Sequence, residues 1–321
     1  MAEKPVLLVT RRVPPNVEAR ALRDYDARLN TDDRLFTADE LLAKAAAADA
    51  ILCCHSERFS AEVVEKLPAK VKIVANISVG VDHCDLNAAR RRGLVVTNTP
   101  DVLSDATAEI AILLMLGAAR RAGEGERMMR EARWKDWSLD FMVGTQMTGK
   151  RLGIIGMGRV GQVVARRARG FEMEIHYHNR HRLPPELEAG ARFHESLESL
   201  LPSCEFLSIN CPATPDTTSM INAGRIALMP QGAILVNTGR GAVVDDEALI
   251  AALRAGHLGA AGLDVFNNEP DIHPDYRKLA NTFLLPHIGS ATRETRDAMG
   301  FRALDNLDAF FGGREPVDRV A

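Results

Sequence analysis

RLGIIGMGRVG, residues 151–161, passes from an apolar run, Leu152–Ile155, into three glycines spaced G-x-G-x-x-G and on into a helical pattern, Val160–Arg169. Each glycine has its own physical task. Gly156 allows a tight turn, Gly158 lets the backbone come close to a bulky anion, and Gly161 lets the helix pack closely on the strand. The helix start offers the amides of Arg159 and Val160 together with the positive end of the helix dipole, so the expected occupant is a pyrophosphate. A lone G-x-G-x-x-G carries little weight, but this one has the strand before it and the helix after it that the motif requires.

The next strand along, Met173–Tyr177, runs into EIHYHNRHR, residues 174–182. In a dinucleotide-binding unit an Asp or Glu about 20 residues after the glycines usually holds the adenosine ribose 2′-hydroxyl. Here that place belongs to Asn179, with Arg180 and Arg182 behind it. A carboxylate would repel a 2′-phosphate, whereas two guanidinium groups offer it forks of donors, so the local chemistry favours NADPH, with NADH possible. His176, His178 and His181 lack a Cys or carboxylate at ligand spacing, and no metal is expected.

Working outward, apolar runs alternate with helical patterns along the whole chain. Val6–Val9, Ala50–Cys53, Ile73–Ile77 and Leu94–Thr97 read as one series of strands; Phe206–Ile209, Ala233–Asn237, Ala260–Asp264 and Phe283–Leu285 continue the second. This alternation is the mark of βαβ units and parallel sheets. The expected architecture is α/β, with two doubly wound, Rossmann-like domains and a cleft between them. Residues 1–99 and 291–321 form one domain, the latter through a returning helix at Glu294–Phe311, and residues 100–290 form the other, beginning with a helix at Asp101–Arg121. Gly123–Lys150 breaks the rhythm and holds both tryptophans, Trp134 and Trp137.

Bulk properties exclude several classes. With 321 residues, 46% of them apolar, the chain can bury two sizeable cores. A net charge of −3 gives no overall pull toward nucleic acid or anionic membrane. Five cysteines without a CxxC pair read as reduced thiols, and the longest apolar stretch, Ile110–Ala119, is far short of a membrane span, so a cytoplasmic location is expected.

Three polar residues lie at or beyond strand ends of the second series, where open α/β sheets place their ligands: Arg240 in VNTGRGAVVD, Glu269 in GLDVFNNEP and His287 in LLPHIGSAT. In this order after the glycine unit, and with NISVGVDHCDL and TNTPDVLSDATAE upstream, they resemble the D-isomer-specific 2-hydroxyacid dehydrogenase family, and most closely its glyoxylate/hydroxypyruvate reductases. The resemblance implies reduction of small 2-oxo acids by hydride transfer from a nicotinamide cofactor. It makes residues 1–99 with 291–321 the substrate-binding domain, 100–290 the dinucleotide-binding domain, and 122–150 a dimerisation loop of a homodimer.

The roles it implies agree with the chemistry. Arg240 forks onto carboxylate and carbonyl oxygens of a 2-oxo acid. His287 donates the proton as an imidazolium, and Glu269, on the other ring nitrogen, favours that charged form and sets the tautomer. Backbone amides of Val79 and Gly80 would cradle the substrate carboxylate, in a loop where Ser78 replaces the family's frequent Gly, and Ser290 joins the same lining. Thr107, Cys211, Pro212, Thr217, Thr238, Gly239, Asp264 and Gly289 fall where the family meets ribose or nicotinamide. Two other functions share these motifs. One is a reductase of bulkier 2-oxo acids, decided by residues near Cys54, His55 and Trp137; the other is a dinucleotide-sensing corepressor.

Overall fold

The computed structural model describes residues 3–321. Contacts divide the chain into two units, one formed by Met1–Leu103 with Ala291–Ala321 and the other by Ser104–Ser290.

The first unit holds a five-stranded sheet of β1 (Val6–Val9), β2 (Asp26–Leu29), β3 (Ala50–Cys53), β4 (Ile73–Asn76) and β5 (Val95–Thr97), in the order β2-β1-β3-β4-β5. Every pairing is parallel. Alternate side chains enter two separate cores: Leu8, Ile51, Cys53, Val74 and Val96 on one face, and Leu7, Val9, Leu52, Ile73, Ala75 and Val95 on the other. A sheet buried on both faces explains why its strands read as unbroken apolar runs rather than alternating ones. The returning helix, Arg293–Phe311, starts at an N-cap, where Thr292 accepts from the Thr295 amide, and adds Met299, Ala303, Leu304 and Leu307 to the second core. The edge strand β2, DARL, was not expected from the sequence; it carries two charged residues in four and has a sheet neighbour on one side only.

The second unit holds seven strands: β6 (Arg151–Ile155), β7 (Glu174–His178), β8 (Arg192–Phe193), β9 (Phe206–Ile209), β10 (Ala233–Asn237), β11 (Leu258–Leu263) and β12 (Thr282–Leu284). Their order is β12-β11-β10-β9-β6-β7-β8, again parallel throughout. The chain reverses its direction of winding between β6 and β9, the switch point at which doubly wound sheets bind dinucleotides. Both faces are again buried, with Ile154, Tyr177, Phe206 and Val236 on one side and Ile155, Leu207, Ile209 and Leu235 on the other. Two-residue β8 escapes a reading based on apolar runs.

The helix expected over Asp101–Arg121 spans Ser104–Ala119. The following segment, which breaks the strand rhythm in the sequence, begins with a further helix at Ala122–Arg130 that has no buried residue. Beyond it Trp134, Trp137, Leu139 and Val143 are all more than half exposed. Among the described residues no helix is long and apolar enough to cross a membrane.

Candidate active site

Parallel pairing sets the geometry, because it sends every strand's carboxyl end to the same edge of the sheet. Gly156 follows β6, Asn179 follows β7, Cys211 lies just beyond β9, Thr238 to Arg240 follow β10, Asp264 follows β11 and His287 lies just beyond β12. Residues far apart in sequence thus line one edge.

The glycine loop has the shape that the pyrophosphate reading needs. Gly156 has φ +88°, and a Cβ there would stand 2.8 Å from the Cys211 amide nitrogen of the neighbouring strand end. A Cβ on Gly161 would lie 2.3 Å from the Gly156 carbonyl oxygen, so a side chain there would push the helix off the strand. Gly158 is different: a Cβ would meet nothing within 4 Å, and the space above it is open. It is the N-cap of the helix Arg159–Ala168, and no side chain caps that end. An open space over a helix start without a side-chain acceptor suits a bound anion, so these residues fit a dinucleotide. Asn179 contributes directly to the loop, since its Oδ1 accepts from the Met157 amide at 2.7 Å.

The structure brings His287 and Glu269 together. His287 Nδ1 lies 2.6 Å from Glu269 Oε2, and the other carboxylate oxygen of Glu269 accepts from the Phe266 amide at 2.7 Å. The carboxylate is therefore held at both oxygens, and the pairing fixes the orientation of the ring. His287 itself has φ +54°, a backbone state uncommon for residues other than glycine and concentrated at functional sites. The loop is pinned from beneath by Asp264, a residue 1% exposed, whose two oxygens accept from the amides of Ile288 at 2.8 Å and Gly289 at 2.7 Å. Burial pushes the Asp264 carboxyl above its ordinary range, against the opposing pull of those amides and of His287. The sequence places Asp264 among the cofactor contacts, and the structure shows it as the anchor of the His287 loop.

Replacement of Glu269 by Ala tests the pairing: the ring loses the carboxylate that orients it, so kcat should fall, and an unchanged kcat would show that the two side chains do not act together.

Arg240 rides on a turn built by its neighbours. Asn237 receives the Gly239 amide at 3.0 Å and donates to the Arg240 carbonyl at 2.9 Å, and Arg240 Nη1 donates to the Gly239 carbonyl at 2.9 Å. Gly241 must follow, because a Cβ there would fall 1.9 Å from a backbone carbon of Phe266. That close approach ties the Arg240 turn to the segment carrying Glu269.

The remaining residues divide by task. Thr107 lies beside Gly289, where a Cβ would stand 3.5 Å from its hydroxyl oxygen, and Thr238 donates to Asn210 at 3.1 Å. Thr217 donates to the Pro212 carbonyl at 2.8 Å and so braces the loop after β9 from within. Ser290 is half-buried at the end of the second unit. In the first unit, the carbonyls of Ser78, Val79 and Gly80 accept in turn from the Thr99 amide, the Asn98 side chain and the Ser78 hydroxyl at 2.9, 2.9 and 2.7 Å. Ser78 thereby closes the loop with its own side chain, doing by hydrogen bond what a glycine would do by flexibility. His176, one of the three histidines near Asn179, is 2% exposed and sits 2.9 Å from both His194 and Glu174, a carboxylate contact that sequence spacing did not reveal.

The family model described as D-isomer specific 2-hydroxyacid dehydrogenase, NAD binding domain, matches residues 112–289. The chain belongs to this family. A glycerate dehydrogenase of Hyphomicrobium methylovorum is 46% identical over 314 residues, covering 97% of this chain and 98% of that one. A glyoxylate reductase of Thermococcus kodakarensis is 43% identical over 322 residues, covering 99% and 96%. Among solved structures, an NADPH-dependent glyoxylate/hydroxypyruvate reductase of Sinorhizobium meliloti, in complex with NADP and malonate, superposes with a TM-score of 0.86 at 32% identity, covering 99% of this chain and 97% of that one. This 2-hydroxyacid dehydrogenase is accordingly an NAD(P)-dependent oxidoreductase. The enzymatic reading of the sequence stands, and its corepressor alternative falls away.

Proposed function

We propose that this dehydrogenase reduces glyoxylate and hydroxypyruvate to their 2-hydroxy acids and prefers NADPH. The observation that carries the reaction is the 2.6 Å contact of His287 with Glu269 on the strand edge that also carries Arg240. The relatives named for glyoxylate, glycerate and hydroxypyruvate supply the substrate class. When bound, the dihydronicotinamide supplies a hydride to C2 of the oxo acid. His287 Nε2 gives its proton to the carbonyl oxygen, so the developing alkoxide leaves as a hydroxyl, and the ring is reprotonated from solvent. Arg240 forks onto the substrate's carboxylate and carbonyl oxygens, holding C2 in line and drawing charge toward the oxygen that receives the proton. The amides of Val79 and Gly80 are assigned the substrate carboxylate, Ser290 the same lining, and the residues around the glycine loop the dinucleotide.

Cofactor choice rests on Asn179 and Arg180. Asn179 ends β7 with a neutral amide already bonded to Met157, and Arg180 beside it is exposed. A 2′-phosphate therefore meets a guanidinium and no carboxylate at that strand end. Following the loss of reduced cofactor with each acceptor should give a higher kcat/KM for NADPH than for NADH. Arg180→Ala should raise the NADPH KM about tenfold, the worth of one charge-assisted contact, while the NADH KM changes little. A wild-type enzyme that favours NADH would overturn the cofactor preference and leave the reaction intact.

The family's dimerisation loop is assigned to residues 122–150, and the protein is proposed to be a homodimer. The exposed apolar side chains of Trp134, Trp137, Leu139 and Val143 support that assignment, since so much apolar surface on one segment marks an interaction site.

A further inference from the structure

The loop after β7 carries two arginines, and the structure treats them differently. Arg180 is exposed. Arg182 donates through Nε and Nη2 to the two carboxylate oxygens of Glu188, at 2.8 and 3.1 Å. The same carboxylate accepts from the Tyr177 hydroxyl at 2.6 Å, and the Tyr177 oxygen in turn accepts from the Leu183 amide at 3.0 Å. Tyr177 is wholly buried and Glu188 is 6% exposed. The Arg182 guanidinium also lies 5.8 Å from the centre of the Phe193 ring, which is 5.3 Å from that of Tyr177.

These contacts form a closed circuit that ties down the far end of the loop. Its near end is tied to the glycine loop, where the His178 carbonyl accepts from the Gly156 amide at 3.1 Å and Asn179 accepts from Met157. Arg182 thus holds in place the residues that precede it. It is also poorly placed by charge to take a phosphate. Arg182 and Tyr177 hold the Glu188 carboxyl below its ordinary range, so the carboxylate stays ionised beside the guanidinium and cancels its charge. A 2′-phosphate drawn to Arg182 would meet that anion, and Arg182 could turn away only by leaving a nearly buried carboxylate with the Tyr177 hydroxyl and without its cationic partner.

We propose that Arg182 is a positioning residue of the dinucleotide loop and not a ligand of the 2′-phosphate: with Glu188 and Tyr177 it holds Asn179 and Arg180 in place, so that Arg180 alone supplies the phosphate-facing charge. This rests on the reading that Arg180 receives the 2′-phosphate, and it reassigns the second arginine of the same loop.

Calorimetric affinities for 2′,5′-ADP and 5′-ADP, fragments with and without the 2′-phosphate, separate the two roles without turnover. Arg182→Ala should weaken both fragments by the same factor, about 3–10-fold, because a loosened loop serves the shared adenosine poorly. Glu188→Gln keeps an acceptor for Tyr177 but releases the charge of Arg182, and should shift the affinity ratio toward 2′,5′-ADP; it is the second variant should Arg182→Ala fold poorly. A loss confined to 2′,5′-ADP in Arg182→Ala, or no loss of either fragment, would overturn the proposal, as would an unchanged ratio in Glu188→Gln. Arg180→Ala in the same assay isolates the parent reading: an equal loss of both fragments there would remove Arg180 as the phosphate ligand without touching the result for Arg182.

Discussion

Replacing His287 with Asn lowers kcat for hydroxypyruvate reduction by about 10²–10⁴-fold, the range that positioned proton donation is worth. Asn is the informative substitution. It tolerates the left-handed backbone at φ +54° better than other side chains do, and its amide can still donate to Glu269, so the loop keeps its shape while the proton is lost. His287 belongs to none of the buried apolar clusters and its side chain is 29% exposed, so Tm should stay close to that of the parent enzyme. Single-turnover kinetics check the result where product release limits the parent rate. A variant with near-parent hydride transfer would remove His287 as the acid and leave Glu269 as a structural partner only.

Arg240→Ala has a comparable effect through a different quantity. Two charge-assisted hydrogen bonds to the substrate are together worth roughly 3–5 kcal/mol, so kcat/KM for either oxo acid falls by about 10²–10⁴-fold. Part of that loss appears in KM, because the carboxylate is held in the ground state, and part in kcat, because the carbonyl oxygen gains charge only as the hydride arrives. Cofactor affinity supplies the control. An Arg240→Ala protein that binds 2′,5′-ADP normally but turns over slowly has lost substrate handling alone, whereas unimpaired kcat/KM would show that the guanidinium never reaches the substrate. The Arg240 turn is held largely by Asn237 and by the fit of Gly241 on Phe266, so the substitution leaves the backbone supported.

Much of this enzyme was legible before folding was considered. Gly156, Gly158 and Gly161 could be given separate tasks because local backbone geometry depends on near neighbours, and a side chain at Gly161 fails within its own strand-turn-helix unit. The strands buried on both faces announced themselves as apolar runs, and β2 and β8 did not, because β2 is only partly buried and β8 has just two residues. Arg240, Glu269 and His287 were found from strand-end position together with the family's motifs.

What the sequence determined by itself was therefore the two-sheet α/β plan and the glycine loop, which follow from periodicity and motif spacing, while the candidate reacting side chains came from strand-end position and the family resemblance. Tertiary structure alone decided how polar groups were shared out. Asp264 also accepts from the Ile288 and Gly289 amides with its two oxygens, a support for the His287 loop that the sequence did not show. Glu188, with no mark in the sequence, pairs with the guanidinium of Arg182 rather than with that of Arg180 two positions earlier. Two arginines in one short motif look equivalent on paper. Their difference arises because a carboxylate that folding carries into the interior must keep a cationic partner, and only the folded chain shows which of the two arginines is within its reach.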